Sequence, residues 1–292
     1  MSEKYDILFV GPGCIDTNID MTGETVHGAG GAAWFASFAA RAAGANVFAA
    51  VSMNPADRIL TDAFEDIPMK IFPADRSTAM QNTYFDATRE KRKSVVISQA
   101  PPFGFESLPD GEFRLCHLAG LLYGDFPEEL IERLHKRFPL SADMQGFLRH
   151  NENGDLVFRD WALKKRCLPY FRFLKADANE AEIMTGSGDR RKAAEMLHAW
   201  GAEEVLISHN EEMLVFDGSN FETCPVKARN LSGRTGRGDS VFGSYLARRM
   251  RGDSIPDALL YATALVSLKM EKPGPFSGTD ADVRAFIKEF YS

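Results

Sequence analysis

The sequence predicts a three-layer α/β fold, in which a largely parallel central sheet carries helices on both faces and a small β-lid stands beside it. Short apolar runs that predict buried strands alternate with helix-like segments along most of the 292 residues, as in parallel sheets covered on both faces. Two stretches, 15–28 and 79–99, instead have the short, partly alternating pattern of exposed strands. We therefore predict a single domain, residues 1–292, whose lid is built from these two stretches.

The N-terminal part of the chain supplies the first strands and helices. Gly30 and Gly31 precede an alanine-rich helix that ends at Gly44, a typical C-terminal glycine cap. Asn54 before Pro55 predicts the start of a further helix, with Asn54 as its N-cap. The predicted elements are strand Tyr5–Val10, an exposed hairpin over Ile15–His27, helix Ala32–Ala43, strand Asn46–Val51, and strands Gln81–Ala87 and Lys93–Ser98 joined by the charged turn Thr88–Arg92.

The α/β alternation resumes after Pro101-Pro102 and continues to the C-terminus. The predicted elements are strand Phe113–Leu118, helix Pro127–Phe138, strand Leu140–Asp143, a hairpin turn over Asn151–Asp155, strand Phe171–Lys175, helices near Asn179–Thr185 and Asp189–Trp200, strand Val205–Ser208, a hairpin of Met213–Phe216 and Phe221–Cys224, and helices 238–251, 255–271 and 280–290. Ligands of such folds bind at the carboxyl ends of the strands.

Composition narrows the class of partner. The net charge of −7 argues against nucleic acid and against a membrane surface, because both are anionic. We expect no signal peptide, because the start Met-Ser-Glu-Lys-Tyr-Asp runs straight into a predicted strand, and no apolar run reaches the ~18 residues that a membrane span needs. Four cysteines, Cys14, Cys116, Cys167 and Cys224, are far apart and fit free thiols in a reducing compartment. We therefore expect a cytoplasmic protein.

The most informative stretch for function is Gly233–Phe242. Three glycines, Gly233, Gly236 and Gly238, form a tight turn before an apolar, helix-like run. A turn of this kind at a helix start leaves backbone N–H groups unpaired, and together with the helix dipole they attract an anion such as phosphate. Asp239 lies in the middle of the stretch, and a carboxylate beside an anion site is what phosphoryl transfer to a hydroxyl requires.

Other candidate site residues are weaker when each is taken alone. Asp16 follows the first strand and could accept hydrogen bonds from substrate hydroxyls, or it could only stabilise a turn. Gly30 and Gly31 allow a ligand close to the backbone, or only a tight turn. Asn179 and Glu182 share one face of a predicted helix and could hold magnesium-bound waters, or be a cap and a solvated side chain. The chain has neither a P-loop nor a complete dinucleotide-binding motif after Gly11-Pro12-Gly13.

Taken in order, these motifs resemble those of the ribokinase (PfkB) family of carbohydrate and nucleoside kinases over nearly the whole chain. Gly233–Phe242 is similar to the family's D-T-x-G-A-G-D-x-F signature, Gly30-Gly31 to its N-terminal double glycine, Asp16 to its substrate Asp, and Asn179-Glu-Ala-Glu182 to its N-x-x-E motif. The stretch Ser141–Arg149 also resembles the D-x-Q-G-x-x-R pattern of one branch of the family.

The resemblance implies a ribokinase-like fold and Mg²⁺-dependent transfer of the γ-phosphate of ATP to a hydroxyl of a small polyol, a sugar or cyclitol. Asp239 would be the general base, and the amides of Gly236, Arg237 and Gly238 would bind the phosphoryl group; Asp16, Gly30 and Gly31 would bind the polyol. The nucleotide would contact Asn179, Glu182, Ser208 and Gly274, with Glu182 reaching the metal through water. The lid often serves as a dimer clasp in the family, which implies a homodimer.

Two departures from the family pattern alter the expectation. Gly233 replaces an Asp that helps to bind the monovalent cation of potassium-activated members, so we expect weak or absent activation by potassium, with Arg234 or Arg237 supplying a fixed charge. Trp34 and Phe35 lie where the family commonly has an Asn after the double glycine, which favours a polyol other than ribose. A nucleoside kinase and a catalytically silent sugar- or nucleotide-binding sensor are the alternative functions.

Overall fold

The computed structural model describes residues 3–86 and 92–291, which form two β-sheets and the helices packed on them. The strands are β1 Lys4–Pro12, β2 Cys14–Ile19, β3 Thr25–Gly30, β4 Val47–Met53, β5 Met69–Pro73, β6 Thr78–Tyr84, β7 Arg92–Ser98, β8 Glu112–Leu118, β9 Leu140–Asp143, β10 Arg149–Glu152, β11 Asp155–Phe158, β12 Phe171–Asp177, β13 Glu204–Ser208, β14 Glu212–Phe216 and β15 Phe221–Pro225. The helices are α1 Ala32–Ala42, α2 Arg58–Ala63, α3 Glu128–His135, α4 Gln145–Leu148, α5 Lys164–Cys167, α6 Ala178–Thr185, α7 Arg190–Ala199, α8 Arg237–Met250, α9 Ile255–Lys269 and α10 Asp280–Phe290, and two short 3₁₀ turns cover 105–107 and 168–170.

The main sheet has nine strands in the order β15-β14-β13-β12-β9-β8-β1-β4-β5. All neighbours are parallel except β13, β14 and β15, which pair antiparallel at one edge. One face packs against α1, α8, α9 and α10, and the other against α3, α6 and α7. Ile7 and Phe9 point to the first face and Leu8 and Val10 to the second, which explains why β1 is apolar throughout. The predicted fold class is confirmed.

The second sheet has six strands in the order β10-β11-β7-β6-β2-β3. It contains strands from both stretches predicted for the lid and adds the β10–β11 hairpin, which pairs with β7 through Asp155 and Val95. The sequence predicts this hairpin but not its place in the second sheet. The predicted turn 88–92 lies outside the described residues, apart from Arg92, which begins β7.

Helices α1 and α8 pack closely because small residues lie at their contact. A Cβ at Gly243 would lie 2.2 Å from the carbonyl oxygen of Ala36, so the two helix backbones touch through glycine and alanine. A Cβ at Gly236 would lie 2.3 Å from the ring of Phe35. The small residues that the sequence places in these helices therefore bring the N-terminal end of α8 against α1, close to the double glycine.

Two local predictions differ from the structure. The N-cap of α2 is Asp57 rather than Asn54, because the Asn54 side chain accepts a hydrogen bond from the Ala56 amide (3.0 Å) and closes a turn before the helix. The edge strand Met69–Pro73 was not predicted, since its five residues lack a regular apolar pattern. Within the described residues, no helix is both long and apolar enough to span a membrane.

Candidate active site

A cleft of about 520 Å³ opens between the carboxyl ends of the main-sheet strands and the second sheet. Its position is that expected for a ligand site in a parallel sheet. It is lined by Cys14, Asp16, Gly31, Ala32, Phe35, Met80, Asn82, Tyr84, Arg92, Ser94, Leu121, Gln145, Arg149, Leu156, Lys175, Asp177, Asn179, Ser208, Asn210 and residues 234–239.

The glycine turn and the first turn of α8 form one wall of the cleft. Gly236 has a left-handed conformation (φ 76°), which favours glycine, and it is the N-cap of α8. The first amide bonded within the helix is that of Ser240, which donates to the Gly236 carbonyl (2.9 Å). The amides of Gly238 and Asp239 therefore precede the helical ladder, whereas the Arg237 amide donates to the Arg234 carbonyl (3.2 Å). Of the three amides predicted to bind the phosphoryl group, that of Arg237 is thus engaged in a turn.

Asp239 lies in the first turn of α8 and faces the cleft. Its Oδ1 accepts a hydrogen bond from Nε2 of Gln145 (3.1 Å), a residue of α4. Burial raises the pKa of Asp239, and the positive charges of Lys175 and Arg149 oppose that rise. The carboxylate is therefore oriented by an amide and kept available for ionisation by neighbouring cations.

Lys175 is a buried cation beneath α8 that pairs with two carboxylates. Strands β12 and β9 pair in register at Lys175 and Asp143, so both side chains leave the sheet on the same side, and Nζ lies 2.9 Å from Oδ2 of Asp143. The same Nζ would lie 2.8 Å from a Cβ at Gly238, which explains the glycine there. Burial would lower the pKa of Lys175, but the carboxylates of Asp143 and Glu180 outweigh burial and raise it.

Glu180, and not Glu182, is the glutamate of α6 that points into this charge cluster. Its side chain is fully buried, 3.7 Å from Nζ of Lys175 and 3.6 Å from the Arg149 guanidinium. Glu180 also closes a capping box with Asp177, in which each side chain accepts the other's backbone amide at 2.8 Å. Burial raises the pKa of Glu180 to about 7, against the effect of Lys175.

Glu182 is exposed and does not line the cleft, whereas Asn179 does. The prediction that Glu182 reaches a metal is thus not supported by its position, because residues two apart on a helix point in nearly opposite directions. The spacing of a polar residue and a Glu three positions later occurs twice here, at Asp177/Glu180 and at Asn179/Glu182.

At the end of the cleft nearest the second sheet, Asp16 lies on β2. Gly30 is its neighbour, and a Cβ at Gly30 would lie 2.1 Å from Oδ2 of Asp16, so this glycine makes room for the carboxylate. Gly31 is the N-cap of α1, with φ 105° and a Cβ position 2.9 Å from the Pro12 carbonyl oxygen. Asn82 and Ser94 form a hydrogen-bonded pair (2.7 Å) that also lines this end. Burial raises the pKa of Asp16.

At the opposite end of the cleft, which we call the donor end, two guanidinium groups bind the side chain of Asn210. Arg234 and Arg237 donate to Oδ1 of Asn210 at 2.7 and 2.6 Å. Ser208, at the end of β13, lines the cleft, and its Oγ is buried without a hydrogen-bond partner among the described residues. Gly274 has φ 86° in the loop between α9 and α10 but does not line the cleft. Its predicted contact with the nucleotide is therefore not supported by its position.

The carboxylates near the cleft bear on where a metal ion could bind. In the part of the chain that the structure describes, no group of three or more His, Cys, Asp or Glu side chains is arranged to hold a metal ion. Glu180 nevertheless has one buried oxygen, Oε1, without a hydrogen-bond partner among the described residues. That oxygen lies 3.6 Å from the Arg149 guanidinium, and Glu180 itself does not line the cleft. Mg²⁺ commonly keeps several waters and binds one or two carboxylates plus substrate phosphates, so Glu180 could hold such a metal only through water.

Sequence reasoning missed Lys175 and Glu180 as members of the site. The stretch that resembles D-x-Q-G-x-x-R carried a signal for three further residues, since Asp143, Gln145 and Arg149 all contact the charge cluster or Asp239. No local pattern marks Lys175, because its role depends on the pairing of two strands.

The two sheets, with the cleft between them and the start of α8 at its wall, form a ribokinase-like fold. The chain belongs to the pfkB family of carbohydrate kinases: residues 100–282, more than half of its length, match the model of that family.

The chain is also similar to three individual kinases. The chain is 32% identical to a pyrophosphate-dependent kinase in the ribokinase family complexed with a pyrophosphate analog and myo-inositol, over 96% of this chain and 99% of that one, with a TM-score of 0.88. It is 30% identical, over 98% and 100% of the chains and with a TM-score of 0.86, to a pyrophosphate-dependent myo-inositol-1 kinase converted into a myo-inositol-3 kinase by two substitutions. It is 35% identical over 103 residues to the cytidine kinase of Thermococcus kodakarensis, a match that covers 34% of this chain and 37% of that relative.

Proposed function

We propose that this protein is a kinase that phosphorylates a hydroxyl of a cyclitol or a related polyol. The observation that carries the proposal is the position of Asp239, which faces the cleft from the first turn of α8 and is oriented by Gln145. Similarity over 96% of the chain to a kinase complexed with myo-inositol supports the class of acceptor. A silent sensor is disfavoured, since binding alone does not require a carboxylate at a helix N-terminus, where an anion binds.

In the proposed reaction, Asp239 accepts the proton of the attacking hydroxyl. Lys175 and Arg149 favour its ionised form, and Gln145 holds one carboxylate oxygen so that the other can face the acceptor. The amides of Gly238 and Asp239, at the positive end of the α8 dipole, stabilise the charge on the transferring phosphoryl group. Magnesium, when bound, would neutralise donor phosphate charge, and Glu180, whose Oε1 has no hydrogen-bond partner among the described residues, is its proposed partner through water.

For the phosphoryl donor we favour pyrophosphate over ATP. Three solved structures that match nearly the whole chain at 30% identity or more are described as pyrophosphate-dependent. The donor end of the cleft presents Arg234 and Arg237, which suit a compact, highly charged diphosphate. Gly274, predicted to lie near the adenine, is outside the cleft. ATP remains the alternative donor, and the assay below separates the two.

The proposed acceptor site comprises Asp16, Asn82 and Ser94. A carboxylate, an amide and a hydroxyl can each bind a different hydroxyl of a polyol, which suits a ring with several of them. One relative changes the hydroxyl that it phosphorylates when two residues are substituted, and the hydrogen-bonded pair Asn82–Ser94 is our candidate for that role here. The partial match to cytidine kinase keeps a nucleoside as the second class of acceptor to test.

A matrix of donors and acceptors tests this proposal. With magnesium present, we expect pyrophosphate and myo-inositol to give a phosphorylated inositol at least about tenfold faster than ATP does, a difference equal to about 1.4 kcal/mol of transition-state free energy. Product is measured by mass spectrometry and the phosphorylated hydroxyl by phosphorus NMR. Faster turnover of ATP with cytidine would instead identify a nucleoside kinase. Tight inositol binding without turnover by either donor would identify a sensor.

We further propose that the second sheet joins two copies into a homodimer. Two large apolar side chains on and beside it are exposed: Phe85 (60%) and Ile97 (61%). Along β7, Ser94 lines the cleft and Val96 is buried, whereas Ile97, at a register shift in the pairing of β7 with β6, is exposed. An exposed apolar group of this kind is typical of an interface. The four buried free cysteines fit our proposal that this assembly is cytoplasmic.

Replacing Ile97 with glutamate is expected to give a monomer, because the carboxylate would be desolvated at the interface without a partner. Light scattering measures the molar mass of wild type and variant at equal concentration. Lys136→Glu, on an exposed position of the main domain, is the control and should leave the mass unchanged. A wild type that stays monomeric at high concentration would refute the dimer.

A further inference from the structure

Lys269, the last residue of α9, is a buried cation behind the glycine turn. Only 2% of it is exposed, and its Nζ donates to the carbonyl oxygens of Gly233 and Thr235. Nζ also lies 4.9 Å from the centroid of the Phe35 ring, the ring that packs on Gly236. A buried ammonium group is unfavourable unless it is well compensated, so an apolar residue would suit this position better if it served packing alone.

The contacts of Lys269 influence the direction in which the amide groups of the turn 233–236 point. In a trans peptide unit the C=O and the N–H point in opposite directions, and none of the described peptide bonds is cis. When the Thr235 carbonyl points back to Lys269, the N–H of Gly236 in the same peptide unit points the other way. Gly236 lines the cleft. The ammonium group thus orients an amide of the anion-binding wall.

The end of α9 holds the rest of the turn. The Gly233 amide donates to the Met270 carbonyl (2.7 Å), and a Cβ at Gly233 would lie 1.7 Å from the Lys272 carbonyl oxygen. No side chain fits at position 233. The Asp of the family signature is therefore replaced by glycine here for a steric reason. Arg234 and Arg237, which we expected to supply a fixed charge in its place, instead bind Asn210 at the donor end.

We propose that Lys269 is a positioning residue, a built-in cation that holds the turn 233–236 in its anion-binding conformation and makes a monovalent cation from solvent unnecessary. The proposal deepens the proposed function and rests on it for turnover, but the binding of pyrophosphate tests it separately. Burial lowers the pKa of Lys269 to about 8, and the carboxylate of Asp239 on α8 opposes that shift. The turn should therefore lose its cation, and its affinity for the anion, as the pH rises above about 8.

The test compares Lys269→Ala with Lys272→Ala, whose side chain is exposed three residues further on. Calorimetry measures the affinity for magnesium pyrophosphate in choline buffer, with and without ammonium or potassium chloride. We expect Lys269→Ala to lose about 10²-fold in affinity and in turnover, by analogy with the loss of an oxyanion-hole donor, and ammonium or potassium to restore much of it. Wild type and Lys272→Ala should respond to neither ion, and the loss of affinity above pH 8 should be absent from Lys269→Ala in potassium.

Three results would overturn the proposal: full affinity in Lys269→Ala without added ions, a folded Lys269→Ala that no monovalent cation restores, or a wild type that itself needs potassium. If circular dichroism shows that Lys269→Ala does not fold, the affinity of wild type with and without ammonium or potassium tests the proposal instead. A built-in cation predicts that neither ion changes this affinity. A wild type that binds pyrophosphate but phosphorylates no polyol would refute the proposed function and leave these binding outcomes to judge Lys269.

Discussion

Asp239→Asn is expected to lower turnover by ~10²–10⁴, the usual contribution of a general base, while the affinities for donor and acceptor stay near those of wild type. Asparagine has nearly the same size, so the turn at the start of α8 is preserved, and its side-chain oxygen can still accept from Nε2 of Gln145. What it cannot do is take the proton of the attacking hydroxyl. Loss of rate without loss of binding is therefore the signature of this change.

Steady-state kinetics and calorimetry on the same samples measure both quantities. Asp110→Asn, on an exposed position before β8, is the control and should behave as wild type. A variant at position 239 that keeps more than about a tenth of the turnover would contradict the assignment, since the smallest usual effect of a general base is larger.

The pH profile gives an independent check on Asp239. The base works only when ionised, and burial raises its pKa above the ordinary value of an aspartate. The wild-type rate should therefore fall as the pH drops through that raised pKa, at a higher pH than a solvated aspartate would give. The residual rate of Asp239→Asn should lack this acid limb. An identical limb in both proteins would assign the titration to another group, of which Glu180, with a pKa of about 7, is the first candidate.

Much of the fold could be predicted because it depends on local patterns. Apolar strands alternating with helices predicted β1, β8, β9, β12 and β13 close to their observed bounds. Features that depend on neighbours were missed: edge strand β5 has no regular apolar pattern, and the place of the β10–β11 hairpin in the second sheet depends on pairing with β7.

The same division applies to the candidate site. Gly236 and Asp239 could be located because a glycine turn before a helix is a local signal with a known electrostatic consequence. Lys175 could not, since it joins Asp143, 32 residues away in the chain, only through the register of two parallel strands. The Asn179/Glu182 pattern shows a further difficulty. Only this pair fits N-x-x-E, but the structure places Glu180, three residues after Asp177, in the charge cluster, and this depends on which side of α6 faces that cluster.

Lys175→Met is expected to lower the free energy of unfolding at neutral pH by ~3–5 kcal/mol, because it breaks a buried ion pair on one side only. Methionine fills a similar volume, but it leaves the buried carboxylate of Asp143 without its cation, and the buried carboxylate of Glu180 with Arg149 alone. Urea denaturation measures the loss. Lys136→Met, on an exposed position, should change stability little.

The pH dependence of this loss of stability shows whether it comes from an unpaired buried carboxylate or from lost packing. Without Lys175, the pKa of Asp143 in the folded variant should rise further above its unfolded value, because burial is then unopposed by its main counter-charge. A raised folded-state pKa of an acid means that the folded state binds the proton more tightly, so the variant should regain stability as the pH falls through that pKa. Lys175→Met combined with Asp143→Asn should recover part of the loss at neutral pH by removing the stranded charge. A deficit that is independent of pH and unchanged in the double variant would mean that Lys175 contributes through packing rather than through charge.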